Sequence, residues 1–196
     1  MTQLILASSS PYRRSLLERL GLPFEALSPD IDETPHPGEA AEALVRRLAT
    51  AKAAKIAETH PNAVIIASDQ VAVTGGPQGS AILGKPGDGA GAIAQLTCLS
   101  GHWARFLTSL CVREPSGSQQ LETETTQVHF RTLSNQEIAH YVEREAPFDC
   151  AGSLRSEGLG IALFERIEGN DPNALIGLPL IRLCRMLRRA GMDPLG

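Results

Sequence analysis

Apolar residues run along the chain in short blocks whose spacing alternates between two periods. Leu4–Ala7 is an unbroken apolar run, short enough for a buried strand. Ser10-Pro11 then offers a helix N-cap and a first-turn proline, and Leu16, Leu17 and Leu20 form one stripe that stops at Gly21. Phe24–Leu27 predicts a second strand, and residues 39–59 a long helix with Leu44, Leu48, Ala51 and Lys55 on one side. The block "AVIIASDQVAV", residues 63–73, reads as a strand with polar residues at its middle. A glycine- and proline-rich loop covers 74–89, followed by a helix around Ala90–Leu99. "HWARFLTSLCVRE" and "QLETETTQVHFRTL" predict two long strands joined as a hairpin across "PSGS". Ser134 with Glu137 three residues on is a capping box. "LGIALFERIEG" predicts a strand, and "LPLIRLCRMLRRAG" a C-terminal amphipathic helix ending at Gly191. The pattern is that of a mixed α/β protein whose helices cover a sheet, with 1–196 forming a single domain.

Composition narrows the class. With 196 residues, 42% hydrophobic and 20% charged, the chain can bury a substantial core as an ordinary globular protein. A net charge of -4 supplies no global positive field, so nucleic acid is not expected as a partner. The first apolar run is too short for a signal peptide, and no stretch approaches the roughly 20 residues that span a bilayer. A cytoplasmic protein without membrane attachment is the expectation. Four scattered cysteines without a CxxC pair read as reduced core thiols.

Polar residues inside apolar company are the candidate chemistry. Asp69 sits within a strand, where a carboxylate must be bound, paired or protonated. It either caps a nearby helix or serves as metal ligand or general base. Glu33 lies in the acidic turn "DIDETP", which is solvated surface unless the fold brings it to a hard cation. Lys52 flanks the apolar side of the long helix, and either snorkels to water or reaches a phosphate. "GSAILGK", residues 79–85, matches the start of a phosphate-binding P-loop, but Pro86 replaces the magnesium-binding hydroxyl residue and no strand precedes it. That leaves Lys85 as a lysine presented by "GKP". "CAGSLRSEGLG", residues 150–160, is a small-residue loop carrying Arg155, Ser156 and Glu157, either a plain connection or a backbone approach to a ligand. Five dispersed histidines and the lack of a nucleophile elbow speak against a zinc enzyme or a serine hydrolase.

Taken in order, "LILASSSPYRR", "DETP", "RLATAKA", "ASDQV", "GKP", "VHFRTLS", "CAGSLRSEGLG" and "IGLPL" resemble the Maf family of nucleoside triphosphate pyrophosphatases over nearly the whole chain. The resemblance implies an elongated mixed sheet flanked by helices, related to inosine triphosphate pyrophosphatases, with two lobes around a cleft. It implies hydrolysis of a nucleoside triphosphate at the α–β linkage, dependent on a divalent cation, Mg2+ or Mn2+. On that basis Ser8, Arg13, Lys52 and Lys85 are assigned to phosphate. Glu33, Asp69 and Glu157 are the metal carboxylates, and Asp69 is the base that takes a proton from water. Arg14 is expected to be supporting. Tyr12, Gln70 and Leu154 are the specificity positions. Tyr12, "SDQ" and "AGSLRSEG" resemble the branch acting on 7-methyl-GTP. The branch acting on dTTP and UTP usually has arginine at the place of Tyr12, threonine at Gln70 and glutamine at Glu157. The alternatives are a dTTP/UTP pyrophosphatase and a non-catalytic nucleotide-binding regulator of septum formation, as a monomer or homodimer.

Overall fold

The computed structural model describes residues 2–75 and 81–196, which fall into two compact units. Residues up to Asp69, Thr108–Glu124 and Asp171–Gly196 form the first; Gln70–Leu107 and Thr125–Asn170 form the second. The sheet runs in the order Glu25–Leu27, Leu4–Ala7, Val64–Thr74, Trp103–Arg113, Gln119–Phe130 and Phe164–Glu168, with Ile82–Leu83 paired to Val64–Thr74.

In the first unit, β1 (Leu4–Ala7) pairs in parallel with both β2 (Glu25–Leu27) and β3 (Val64–Thr74), placing Ile5 opposite Glu25 on one side and Ile65 on the other. Parallel neighbours require crossovers, and the helices α1 (Pro11–Glu18) and α2 (Ala41–Ala57) supply them. Because side chains alternate along a strand, β1 feeds two separate cores. Leu4 and Leu6 join Leu16, Leu17, Val64 and Ile66, together with Leu183, Met186 and Leu187 of the C-terminal helix α5 (Leu180–Arg189). Ile5 and Ala7 face Ala49, Ala53 and Ile56 of α2 across Ile65 and Ala67. Alanines on α2 let the helix lie close to the sheet. The buried face of α2 is Leu44, Val45, Leu48, Ala49, Lys52, Ala53 and Ile56, so it is rotated from the expected one: Lys55 is exposed and Lys52 is inside. Parts of β5 (Trp103–Arg113) and β6 (Gln119–Phe130) complete this unit. Their turn closes across "PSGS" as expected, with Glu114 N–H donating to Ser118 O over 2.9 Å.

In the second unit, β4 (Ile82–Leu83) runs antiparallel to the end of β3, and β7 (Phe164–Glu168) runs antiparallel to β6. The short β4 was expected as loop. Asp88 caps α3 (Gly89–Leu99) by accepting from Gly91 N–H over 2.7 Å. Ser134 and Glu137 form the expected capping box on α4 (Asn135–Glu145), which packs against α3. The strand expected from residue 159 begins only at Phe164, because 159–163 is a 3-10 turn. The amides of Gly158 and Gly160 both donate to Arg155 O, over 3.2 and 3.1 Å. That folds the backbone onto itself before ladder pairing can start. Part of the loop expected at 74–89 lies outside the described residues, as does the beginning of "GSAILGK". Among the described residues no helix is long and apolar enough to cross a membrane.

Candidate active site

The strand-to-helix turn after β1 is closed by its own serines. Ser8, buried, accepts the Ser10 N–H at its Oγ over 3.1 Å, and Ser10 Oγ accepts the Arg13 N–H over 3.4 Å. This capping starts α1 at Pro11 and sets Tyr12 and Arg13, both half-buried, in its first turn. Arg14 lies on the solvent side and pairs with Glu18 at 3.2 Å, one helical turn on.

Arg13 is held from behind. Its Nε donates to the Gly177 carbonyl over 2.9 Å, and Ser68 Oγ, on the strand just before Asp69, donates to the same oxygen over 2.9 Å. Gly177 can present that carbonyl because it sits at φ +118, where a side chain is strained; an added Cβ would lie 3.3 Å from Arg13 Nε. The loop carrying Gly177 is fixed by Asp171, which is 2% exposed and accepts from Asn173 N–H and from Ile181 N–H at the start of α5, over 3.0 and 2.6 Å. Thr108 Oγ1 donates to Ala174 O over 3.0 Å from β5. With Nε engaged, the terminal nitrogens of Arg13 make no hydrogen bond among the described residues, and such a pair of nitrogens is the fork by which a guanidinium can bind phosphate. Burial pushes the Arg13 guanidinium down from its ordinary value, and the charges of Asp69 and Glu33 oppose that shift.

Lys52, Glu33 and Asp69 come together on one ammonium. Lys52 Nζ lies 2.6 Å from Asp69 Oδ1 and 2.7 Å from Glu33 Oε1. Lys52 and Asp69 are 5% and 6% exposed, so neither snorkels, and the buried strand carboxylate is neutralised by the helix lysine. Glu33 reaches in from an exposed turn, with its side chain 46% accessible. Asp32 Oδ1 shapes that turn by accepting the Thr34 N–H over 2.9 Å. Arg47, on α2, grips Glu39 with Nε and Nη2, both over 2.7 Å, and donates to Thr34 O over 3.1 Å. The acidic turn is thereby tied to the helix that carries Lys52.

The donor set fits a hard divalent cation. Two carboxylates converge on one point, and magnesium is commonly held by one or two carboxylates with phosphate oxygens completing the shell. Among the described residues no group of three or more histidine, cysteine, aspartate or glutamate side chains is assembled as an all-protein cage. Glu157 is not among the residues that share Lys52; it belongs to the second unit and lies 3.7 Å from Arg155 Nε.

The remaining candidates also belong to the second unit. Gln70 is half-buried on β3, Lys85 is exposed after β4, and Leu154 is buried in the loop between α4 and β7. Ser68, Asp171 and Gly177 were missed as functional residues by sequence reasoning. The signal for Asp171 was the polar cluster "GNDPN" just ahead of a helix, for Gly177 the glycine of "IGLPL", and for Ser68 its place beside Asp69 in "ASDQV".

A family model described as Maf-like protein matches residues 3–190. A 7-methyl-GTP pyrophosphatase of Chromohalobacter salexigens is 57% identical over 197 residues, covering 100% of both chains. A second, from Nitrosococcus oceani, is 54% identical over 189 residues, covering 96% of this chain and 93% of the relative. Among solved structures, a HAM1 protein from Coxiella burnetii aligns with a TM-score of 0.54 at 16% identity, covering 97% of this chain and 100% of that one. At that identity the likeness concerns the fold.

Proposed function

Because this chain belongs to the Maf family, we propose that it is a nucleoside triphosphate pyrophosphatase that converts 7-methyl-GTP and water to 7-methyl-GMP and pyrophosphate, removing modified nucleotides from the cytoplasmic pool. The observation that carries the reading is the buried Lys52–Asp69 pair beside an arginine whose Nε is already tethered. A carboxylate this costly to bury is what a hydrolase needs and what a passive binder could replace with an apolar side chain. The branch assignment is supported by the names of the two relatives.

Water attacks the α-phosphorus in line, and negative charge builds on the departing pyrophosphate. Arg13 meets phosphate oxygens with its terminal nitrogens, and Lys85 adds a point charge. Ser8 keeps the first-turn amides of α1 aimed at an anion. Lys52 holds Asp69 and Glu33 together in the free enzyme and moves toward phosphate when substrate arrives. Asp69 accepts the proton of the attacking water. Glu33 and Asp69 would hold a divalent cation, which when bound supplies charge neutralisation at the phosphate oxygens. Glu157 is assigned as a third carboxylate on the strength of its motif alone. Tyr12, Gln70 and Leu154 discriminate the base.

A nucleotide panel containing 7-methyl-GTP, GTP, dTTP and UTP, with pyrophosphate release measured with and without magnesium, tests the reading. Magnesium-dependent release highest on 7-methyl-GTP is expected. Preference for UTP or dTTP would reassign the branch, and binding without release would favour a regulator.

A further inference from the structure

Two loops of the second unit meet on one side chain. Gln95, half-buried on α3, donates from Nε2 to the carbonyl of Gly84 over 3.2 Å, and its Oε1 accepts from Ser153 Oγ over 2.7 Å. The two partners fix the orientation of the amide, since a carbonyl can only accept. Gly84 directly precedes Lys85, and its carbonyl also accepts the Gly152 N–H over 3.2 Å.

The far side of the contact is strained and braced. Gly152 and Ser153 are successive left-handed residues at φ +65 and +56, and Ser153 is wholly buried. Gly152 cannot carry a side chain, because a Cβ would lie 2.8 Å from that of Ala72. A serine in this conformation is held only where its surroundings over-determine it. Gln95 holds its hydroxyl, and Tyr141 holds its backbone: the Tyr141 hydroxyl donates to Ser153 O over 3.2 Å and accepts the Arg155 N–H over 3.0 Å. Leu154 therefore stands between two residues pinned by one phenol, which is itself buried and pushed up in pKa.

We infer that Gln95 is a positioning residue that locks the Lys85 loop and the Leu154 loop into one relative geometry, so that phosphate charge and base contact are set together. The inference rests on the proposed assignment of Lys85 to phosphate and Leu154 to the base. Neither hydrogen bond involves the Gln95 backbone, so Gln95 joins the loops through its side chain, alongside the single direct bond from Gly152 N–H to Gly84 O.

The test is Gln95→Leu, which keeps the apolar stem and removes both bonds. Peptide-level hydrogen exchange should rise at 84–87 and at 152–155 together. The kcat/KM for 7-methyl-GTP should fall about tenfold, carried mainly by KM, with the preference over UTP reduced. Gln95→Glu retains the acceptor for Ser153 and should loosen only 84–87; Ser153→Ala should loosen only 152–155. These half-variants also decide the matter if Gln95→Leu does not fold. Faster exchange at neither loop, or a lowered Tm with kcat/KM and base preference unchanged, overturns the inference. Lys85→Ala and Leu154→Ala, run alongside, report on the underlying assignment. If both leave kinetics unchanged, that assignment fails, while the exchange pattern still judges the linkage.

Discussion

Lys52 Nζ donates to Asp69 Oδ1 over 2.6 Å, and both side chains lie inside the first unit. The helix lysine neutralises a carboxylate that would be costly to bury alone, and the proposed mechanism gives that carboxylate the proton of the attacking water. Removing only the charge separates catalysis from binding. Asp69→Asn should lower kcat by about 10²–10⁴-fold while nucleotide affinity changes by only about threefold, read by pyrophosphate release and by calorimetry. Retained turnover would move the base elsewhere.

The same pair makes Lys52→Met informative about the cation. The substitution leaves Glu33 and Asp69 converging without a positive charge. It should cost about 3 kcal/mol, at the low end for a broken buried pair because Glu33 reaches solvent. A divalent cation binding the two carboxylates should restore part of this. Thermal melts should therefore show a larger magnesium-induced rise in Tm for Lys52→Met than for the parent. An equal rise in both proteins would argue against these two residues as the cation's ligands.

How much of this was legible in the sequence depends on how far apart the partners lie. Local signals are legible: the unbroken apolar run Leu4–Ala7, the cap at Ser10 and the box at Ser134 each act within a few residues. Asp69 stood out because a carboxylate in an apolar strand has few explanations. Its partner could not be named, since whether Lys52 points in or out depends on a rotation of α2 that period alone leaves open. The hydrogen bond from Arg13 to Gly177 spans 164 positions and ends on a backbone carbonyl, which has no side-chain signature. The strand expected from Leu159 failed for a different reason, because a glycine-driven turn outcompeted strand pairing.

Gly177 bears on activity through conformation. Gly177→Ala places a side chain at φ +118 and 3.3 Å from Arg13 Nε. Backbone strain of this kind costs about 1–3 kcal/mol, and the carbonyl that tethers Arg13 and Ser68 must shift. The expected result is a lowered Tm with a KM for nucleotide raised about tenfold, through a misplaced guanidinium. Loss of Tm with unchanged KM would make Gly177 purely structural.

Acid stability should respond to the α4 cap. The Ser134 N–H, Arg131 and the Ser134 hydroxyl all favour the ionised carboxyl of Glu137, holding it at about 2 rather than 4.5. A carboxyl harder to protonate in the folded chain contributes its full share above its unfolded pKa and loses it as pH falls through the folded value. The Tm difference between parent and Glu137→Gln should stay level above the carboxyl's ordinary 4.5 and shrink as pH is lowered toward about 2. A difference independent of pH across that window would rule out the ionised cap as its source.

The proposed contact of Tyr12 with the base predicts a selective effect on 7-methyl-GTP. It is half-buried in the first turn of α1, immediately before the tethered Arg13. A 7-methylguanine ring carries positive charge, and an electron-rich face next to it gains roughly 0.5–2 kcal/mol that a neutral pyrimidine does not. Tyr12→Ala should therefore lower kcat/KM about 2- to 30-fold more for 7-methyl-GTP than for UTP, and Tyr12→Phe should recover most of it. Phenylalanine keeps the ring and drops only the hydroxyl, so recovery would assign the effect to the π-face. Equal losses on both nucleotides would mean that Tyr12 supports the turn and leaves base choice to Gln70 and Leu154.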